Sequence, residues 1–181
     1  MDASEIGDGE VVYYLAASLD GFIAGKDGDV SWLNDYFVPE LGFHGFMARI
    51  RGAIMGRNTW DKMAAMTGGG SAYGATPCIV ATHRPLDVAE PVTTASGTAA
   101  NLLAAARARG PGPYWLVGGA DLATQFLLEN QLSRIDLFTI PVLLGAGLPA
   151  FRNEIPVSLD LVSTGTYAKG ITRTTWRPQA A

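Results

Sequence analysis

A chain of 181 residues with 48% hydrophobic and 17% charged side chains has the composition of one globular domain, which excludes a mainly disordered protein. Its formal net charge of -4 excludes binding of nucleic acid through a broad basic face. No apolar run approaches the roughly 20 residues of a membrane helix, so the expected partner is a small molecule and the expected location the cytoplasm.

Met1 to Glu10 is acidic and rich in small residues. It is expected to form a flexible tail ahead of a single domain over 11–177, and it lacks the basic stretch of a signal peptide. Val11 to Ala17 is a short apolar run that predicts a buried strand, and the Asp20-Gly21, Gly25 and Asp27-Gly28-Asp29 cluster after it predicts a long loop. Leu41, Phe46, Met47 and Ile50 predict a helix over Glu40 to Gly52, weakened by Gly42 and Gly45 and leading into a strand over Ala53 to Gly56. A helix over Thr59 to Met66, a glycine-rich loop and a strand over Pro77 to Thr82 follow. That strand carries the single cysteine, Cys78, which has no base beside it and is expected to pack in the core.

The alanine-rich stretch over Thr98 to Arg109 predicts a helix with Leu102 and Leu103 inward, stopped by Gly110-Pro111-Gly112-Pro113 ahead of a strand over Tyr114 to Val117. Ala120 to Asn130 predicts a helix with Leu122, Phe126 and Leu127 on one face. Ile135 to Leu144, Val157 to Tyr167 and Ile171 to Arg177 are strand-like with no long helix between them. The expected architecture is therefore three-layer α/β: a mostly parallel twisted sheet flanked by helices, with antiparallel strands at its C-terminal end.

Ligands in open α/β sheets sit at the carboxyl ends of the parallel strands. Ala17, Gly56, Thr82 and Gly118 each end a predicted strand. At Gly56-Arg57-Asn58-Thr59 a glycine, a planar cation and a helix start coincide, which suits a phosphate, and Gly118-Gly119-Ala120-Asp121-Leu122 repeats that junction. His44 and His83 have no carboxylate or cysteine at metal-ligand spacing, so no metal site is expected.

Leu15-Ala16-Ala17-Ser18-Leu19-Asp20-Gly21-Phe22-Ile23-Ala24, the Gly28-Asp29-Val30-Ser31-Trp32 loop, Ile54 to Trp60, Val117 to Leu122 and Pro141 to Phe151 stand in that order. Together they resemble dihydrofolate reductases and, more closely, the reductase domain of riboflavin-biosynthesis deaminase-reductases, over about Val11 to Tyr167. The resemblance implies a dihydrofolate reductase-like fold, a homodimer and NADPH as cofactor. It sets Arg57 and Thr59 near the phosphates, the Thr82-His83-Arg84 turn near the adenosine 2′-phosphate, and the pyrophosphate on Gly119 to Leu122. Asp121, beside that anion, is expected to turn inward as a helix cap. The nicotinamide is expected against Ala17, Ile23 and Gly118, and the acceptor near Trp32, Asp35, Phe46, Thr59 and Thr139.

Trp32 either lines that pocket or pins its loop, and the proton comes from Asp35 or from water. The folate enzymes' acid falls in register near Phe37, and Gly74-Ala75-Thr76 replace their substrate-gripping arginine. The expected substrate is accordingly a ribosylaminopyrimidine, or a pteridine. The alternative is a non-catalytic NADPH-binding or sensing protein. Asp20 is expected to be a turn residue and Pro141 to Phe151 structural.

Overall fold

The computed structural model describes residues 6–152, 154 and 156–179; Met1 to Glu5 of the expected tail lie outside the described residues. The strands are β1 (Val11–Ser18), β2 (Phe22–Ala24), β3 (Gly52–Gly56), β4 (Cys78–Ala81), β5 (Val92–Ala95), β6 (Tyr114–Gly118), β7 (Arg134–Ile140), β8 (Leu148–Pro149), β9 (Leu159–Thr166) and β10 (Thr172–Pro178). The helices are α1 (Phe43–Arg49), α2 (Arg57–Thr67), α3 (Ala99–Arg107) and α4 (Ala120–Leu128).

Eight strands make one sheet in the order β5-β4-β3-β6-β1-β7-β10-β9, and β2 pairs with β8 beside it. The pairs from β5 through β7 are parallel, whereas β10 runs antiparallel to both β7 and β9. This is the expected architecture. The central strands are apolar on both sides because helices cover both faces, which is why they stand out in the sequence as unbroken hydrophobic runs.

Alternation along the strands divides the core. Tyr13, Ile54 and Leu116 pack with Leu102, Leu103, Leu122 and Phe126 of α3 and α4. Their sequence neighbours Val12, Met55 and Trp115 face the other way, toward Phe46 of α1 and Trp60 and Met63 of α2. Cys78 is fully buried there, and desolvation raises its thiol pKa, as expected of a packing residue.

Several boundaries differ from the sequence expectation, each for a local reason. The helix expected over Glu40 to Gly52 is a 3-10 turn at Pro39–Leu41 and a separate α1, because Gly42 sits at φ 73 between them. A strand ending in extended Gly56 runs straight into α2, which starts at Arg57 instead of Thr59. The strand expected to reach Leu144 stops at Ile140, where Pro141 removes a ladder donor. Residues β2, β5 and β8 span only two to four positions each, too few for a periodic signal.

The antiparallel extension is anchored by a buried charge. Asp136 of β7 is fully buried and its Oδ1 accepts from Arg134 Nε at 3.0 Å and Thr175 Oγ1 at 2.7 Å, while Oδ2 accepts from Arg173 Nη2 at 3.1 Å. Thr175 and Arg173 belong to β10, so one carboxylate ties the parallel sheet to its antiparallel edge. Asp136→Ala leaves buried guanidiniums without that anion and is expected to cost about 3–5 kcal/mol, read as a lower urea midpoint with an unchanged slope.

Candidate functional site

The chain leaves β3 through α2 toward β4 and leaves β6 through α4 toward β7, in opposite directions and over opposite faces. The carboxyl ends of β3 and β6 are thus the topological switch point of the sheet, where open α/β folds form a crevice. Met55 pairs with Gly118 across it. A Cβ on Gly56 would lie 3.7 Å from both the Gly118 carbonyl oxygen and the Gly119 nitrogen, and one on Gly119 would lie 3.7 Å from Thr59 Oγ1. Both glycine junctions named from sequence therefore meet, with Thr59 between them. Gly118 has φ 107, a conformation that favours glycine, and the Gly118–Gly119 peptide is cis.

Arg57, the first residue of α2, donates through Nε to Asp61 Oδ1 at 2.7 Å and through Nη1 to the Pro85 carbonyl at 3.3 Å. It thereby braces the turn after β4. In that turn the Thr82 hydroxyl accepts from the Arg84 backbone N–H at 3.1 Å, and the side chains of His83 and Arg84 are exposed. Asn58 is exposed beside Arg57.

No side chain caps α4, whose N-cap is Gly119. The first-turn N–H groups at Ala120, Asp121 and Leu122 are the groups a helix offers to an anion. Asp121 corrects the expectation of an inward cap: its side chain is 82% exposed and pairs with Arg152 at 3.4 Å. The Arg152 charge offsets the repulsion Asp121 would exert on an anion. A cavity of about 210 Å³ lies here, lined by Thr82 and His83 after β4, Ser96 and Gly97 after β5, and Asp121 and Gln125 of α4. This is below the about 300–1,000 Å³ of a drug-sized ligand's site, and suits one end of an extended dinucleotide. Sequence reasoning missed Ser96, Gly97 and Gln125, which carry no motif and meet the others only through the fold.

At the carboxyl end of β1 the Ser18 hydroxyl donates to Asp20 Oδ1 at 2.6 Å and accepts from the Phe22 N–H at 3.0 Å. The Asp20 carboxylate in turn accepts from the amides of Leu144 at 3.1 Å and Gly145 at 2.7 Å. Asp20 is thus a turn residue with a second task, holding the Pro141 to Phe151 segment over the end of β1. Ala17 is buried beneath, in register with Thr139 of β7, and Ile23 packs against the α3–α4 core. Thr139 shares the Leu137 side of β7, opposite Phe138. It therefore groups with Ala17 and Ile23 instead of with Phe46.

A second cavity of about 300 Å³ lies on the α1 side of β1, lined among others by Tyr14, Glu40, Phe46, Arg49, Tyr167 and Arg173. Of the residues expected near the acceptor, Phe46 alone is among those that line it. Burial raises the Tyr14 hydroxyl pKa well above its ordinary value, and the nearby Arg173 charge opposes that shift. Trp32 lies in the 3-10 turn Ser31–Tyr36 and packs against the Phe138, Ile140 and Ile171 cluster, with its buried Nε1 lacking an acceptor among the described residues. Asp35 in the same turn is exposed, and its backbone carbonyl accepts from Lys169 Nζ.

A family model of the RibD C-terminal domain matches residues 10–172. The chain belongs to the RibD C-terminal domain family. Among its relatives is YwjB of Bacillus subtilis, itself uncharacterized, 31% identical over 163 residues that make up 89% of this chain and 92% of YwjB. A candidate riboflavin biosynthesis protein from Shewanella sp. PV-4 superposes with a TM-score of 0.80 at 27% identity, covering 94% of this chain and 99% of that one. Dihydrofolate reductase from Enterococcus faecalis, solved with NADP(H), superposes with a TM-score of 0.69 at 18% identity over 95% of this chain and 98% of that enzyme. That last likeness is one of fold, and it makes the three-layer architecture dihydrofolate reductase-like. The RibD C-terminal domain resemblance carried by the SLDG, GRNTW, VGGAD and PVLLGAG segments is thereby confirmed.

The Asp20 clamp is pH-sensitive in a defined direction. The Ser18 hydroxyl, followed by the Gly145 and Leu144 amides, holds its carboxyl below the ordinary range against an opposing desolvation. A depressed folded pKa contributes stability above the unfolded value of about 3.9 and loses it as pH falls through the folded value. Amide exchange at Leu144 and Gly145 is therefore expected to accelerate, relative to the β1 amides, as the solution is acidified below that range, and Asp20→Ala should show the fast exchange already at neutral pH.

Proposed function

We propose that this RibD C-terminal domain protein is an NADPH-dependent reductase that delivers a hydride to a small heterocycle, a ribosylaminopyrimidine or a pteridine. The observation that carries the reading is the convergence of the Gly56 and Gly118-Gly119 junctions, Thr59 and the uncapped start of α4 at the switch point of the sheet. Such a convergence suits a pyrophosphate, because backbone N–H groups and helix dipoles bind anions without a large local positive charge.

Bound NADPH would supply the hydride from its nicotinamide C4. Gly119 to Leu122 hold the pyrophosphate, Arg57 and Thr59 flank the phosphates, and the Thr82-His83-Arg84 turn reaches the 2′-phosphate. Ala17, Ile23 and Gly118 provide the apolar wall for the nicotinamide. The acceptor lies at the carboxyl end of β1, where Thr139 stands in register with Ala17, held next to the cofactor and shielded from bulk water. Asp35 stays exposed and outside both cavities, so water brings the proton.

The exposure of Asp35 also favours a second reading, a cofactor-binding sensor without turnover. NADPH oxidation assayed with aminopyrimidine and pterin acceptors separates the two, since saturable NADPH binding without turnover on any of them supports the sensor. Titration of cofactor fluorescence tests the cradle itself, and a protein that binds neither NADPH nor NADH overturns both readings. Arg84→Ala is expected to weaken NADPH by about 1.5–3 kcal/mol through loss of a charge-assisted bond and to leave NADH nearly unchanged. Equal weakening of the two cofactors would remove Arg84 from the 2′-phosphate.

A further inference from the structure

We infer that Gln125, locked in one orientation by Glu129, makes the cavity at the start of α4 selective for a dinucleotide whose purine carries a 6-amino group, and turns away one whose purine carries a 6-oxo group. This rests on the cofactor half of the reductase reading. It adds to that reading a discrimination between bases, the residue that makes it and the residue that sets its sign.

A glutamine side chain offers two hydrogens at one end of its amide and lone pairs at the other, and its neighbours decide which end is left for a ligand. Gln125 Nε2 donates to the Gly97 carbonyl at 3.1 Å and to Glu129 Oε1 at 3.0 Å. Both neighbours are acceptors, so the nitrogen end is committed and both of its hydrogens are spent. Turning the amide over would set Oε1 against a carbonyl and a carboxylate at once. Glu129 is itself fixed, because its Oε2 accepts at 2.7 Å from the N–H of Ala99, the first residue of α3, one of the helix donors that has no partner within the helix. A contact between two helices therefore determines which face of one amide is presented.

The presented end is within a ligand's reach. Gln125 is half-buried and lines the cavity of about 210 Å³, and its Oε1 accepts no hydrogen bond among the described residues and is not shut off from solvent. The rest of the lining suits an uncharged flat ring. Leu102 and Leu122 are buried and give the cavity apolar walls, and no lysine or arginine is among its lining residues. A purine with a 6-amino group donates an N–H to Gln125 Oε1. A 6-oxo purine brings a second acceptor to the same place, so two lone pairs face each other and neither finds a proton. A site arranged to hydrogen-bond one group discriminates strongly against an analogue that lacks it, because its own polar atom is left unpaired.

The test is calorimetric titration of the full chain with NADPH and with its deamino analogue, in which hypoxanthine replaces adenine. NADPH is expected to bind about tenfold or more tightly than the analogue. Gln125→Leu removes the acceptor and should bring the two compounds within about twofold of each other. Glu129→Gln keeps the side-chain length but can donate as well as accept, so it frees the Gln125 amide to turn over; the preference should shrink, chiefly through tighter binding of the analogue. A purely structural role for either residue would instead weaken both compounds in parallel. Circular dichroism checks that each variant is folded, and Gln125→Met, of similar length, takes the place of Gln125→Leu should the latter unfold. Equal binding of the two compounds by the native chain, or a preference that survives the loss of Gln125, overturns the inference and leaves the reductase reading standing. A full preference retained in Glu129→Gln overturns the orienting role of Glu129. Binding of neither compound overturns the inference and the reductase reading together.

Discussion

Parallel register is the constraint from which the rest of this molecule follows. Because β1, β3, β4, β6 and β7 run the same way, everything their sequences place at a carboxyl end arrives at one rim of the sheet. Neighbouring β3 and β6 then send their helices to opposite faces, and the rim opens between Gly56 and Gly118 instead of being covered. A chain with net charge -4 can offer an anion site there because the attraction is built from oriented N–H groups and a few placed guanidiniums.

Strand β1 is the partition between two compartments. On one side Tyr13 and Leu15 seal the α3–α4 core, against whose rim the cavity of about 210 Å³ lies. On the other, Tyr14 faces α1 and the aromatic cavity.

The sheet's centre was legible because buried parallel strands are continuous apolar runs, and both glycine junctions were legible because glycine before a helix is a local signal. What escaped reading was long-range or inverted locally. Arg173 and Asp136 lie 37 residues apart and meet only through antiparallel pairing. Phe46 and Thr139, both expected near the acceptor, lie on opposite sides of the sheet because alternation along β7 sets Thr139 away from Phe138. Asp121 was expected to cap, yet α4 is capped by the backbone of Gly119 alone and the carboxylate turns out to Arg152. Glu40 belongs to a turn whose direction is set by the left-handed Gly42, a geometry that spacing rules for a regular helix cannot anticipate.

The bond between Asp20 and the Leu144 amide spans 124 residues, and that separation bears on the order in which the molecule assembles. A contact so distant closes some two thirds of the chain into a loop, so its entropy is recovered only after β7 has docked beside β1 and brought the two ends within reach. The covering of the rim is therefore a late event in folding and an early one in loosening. The sheet persists as a framework on which the cover over its rim is the last part to be finished.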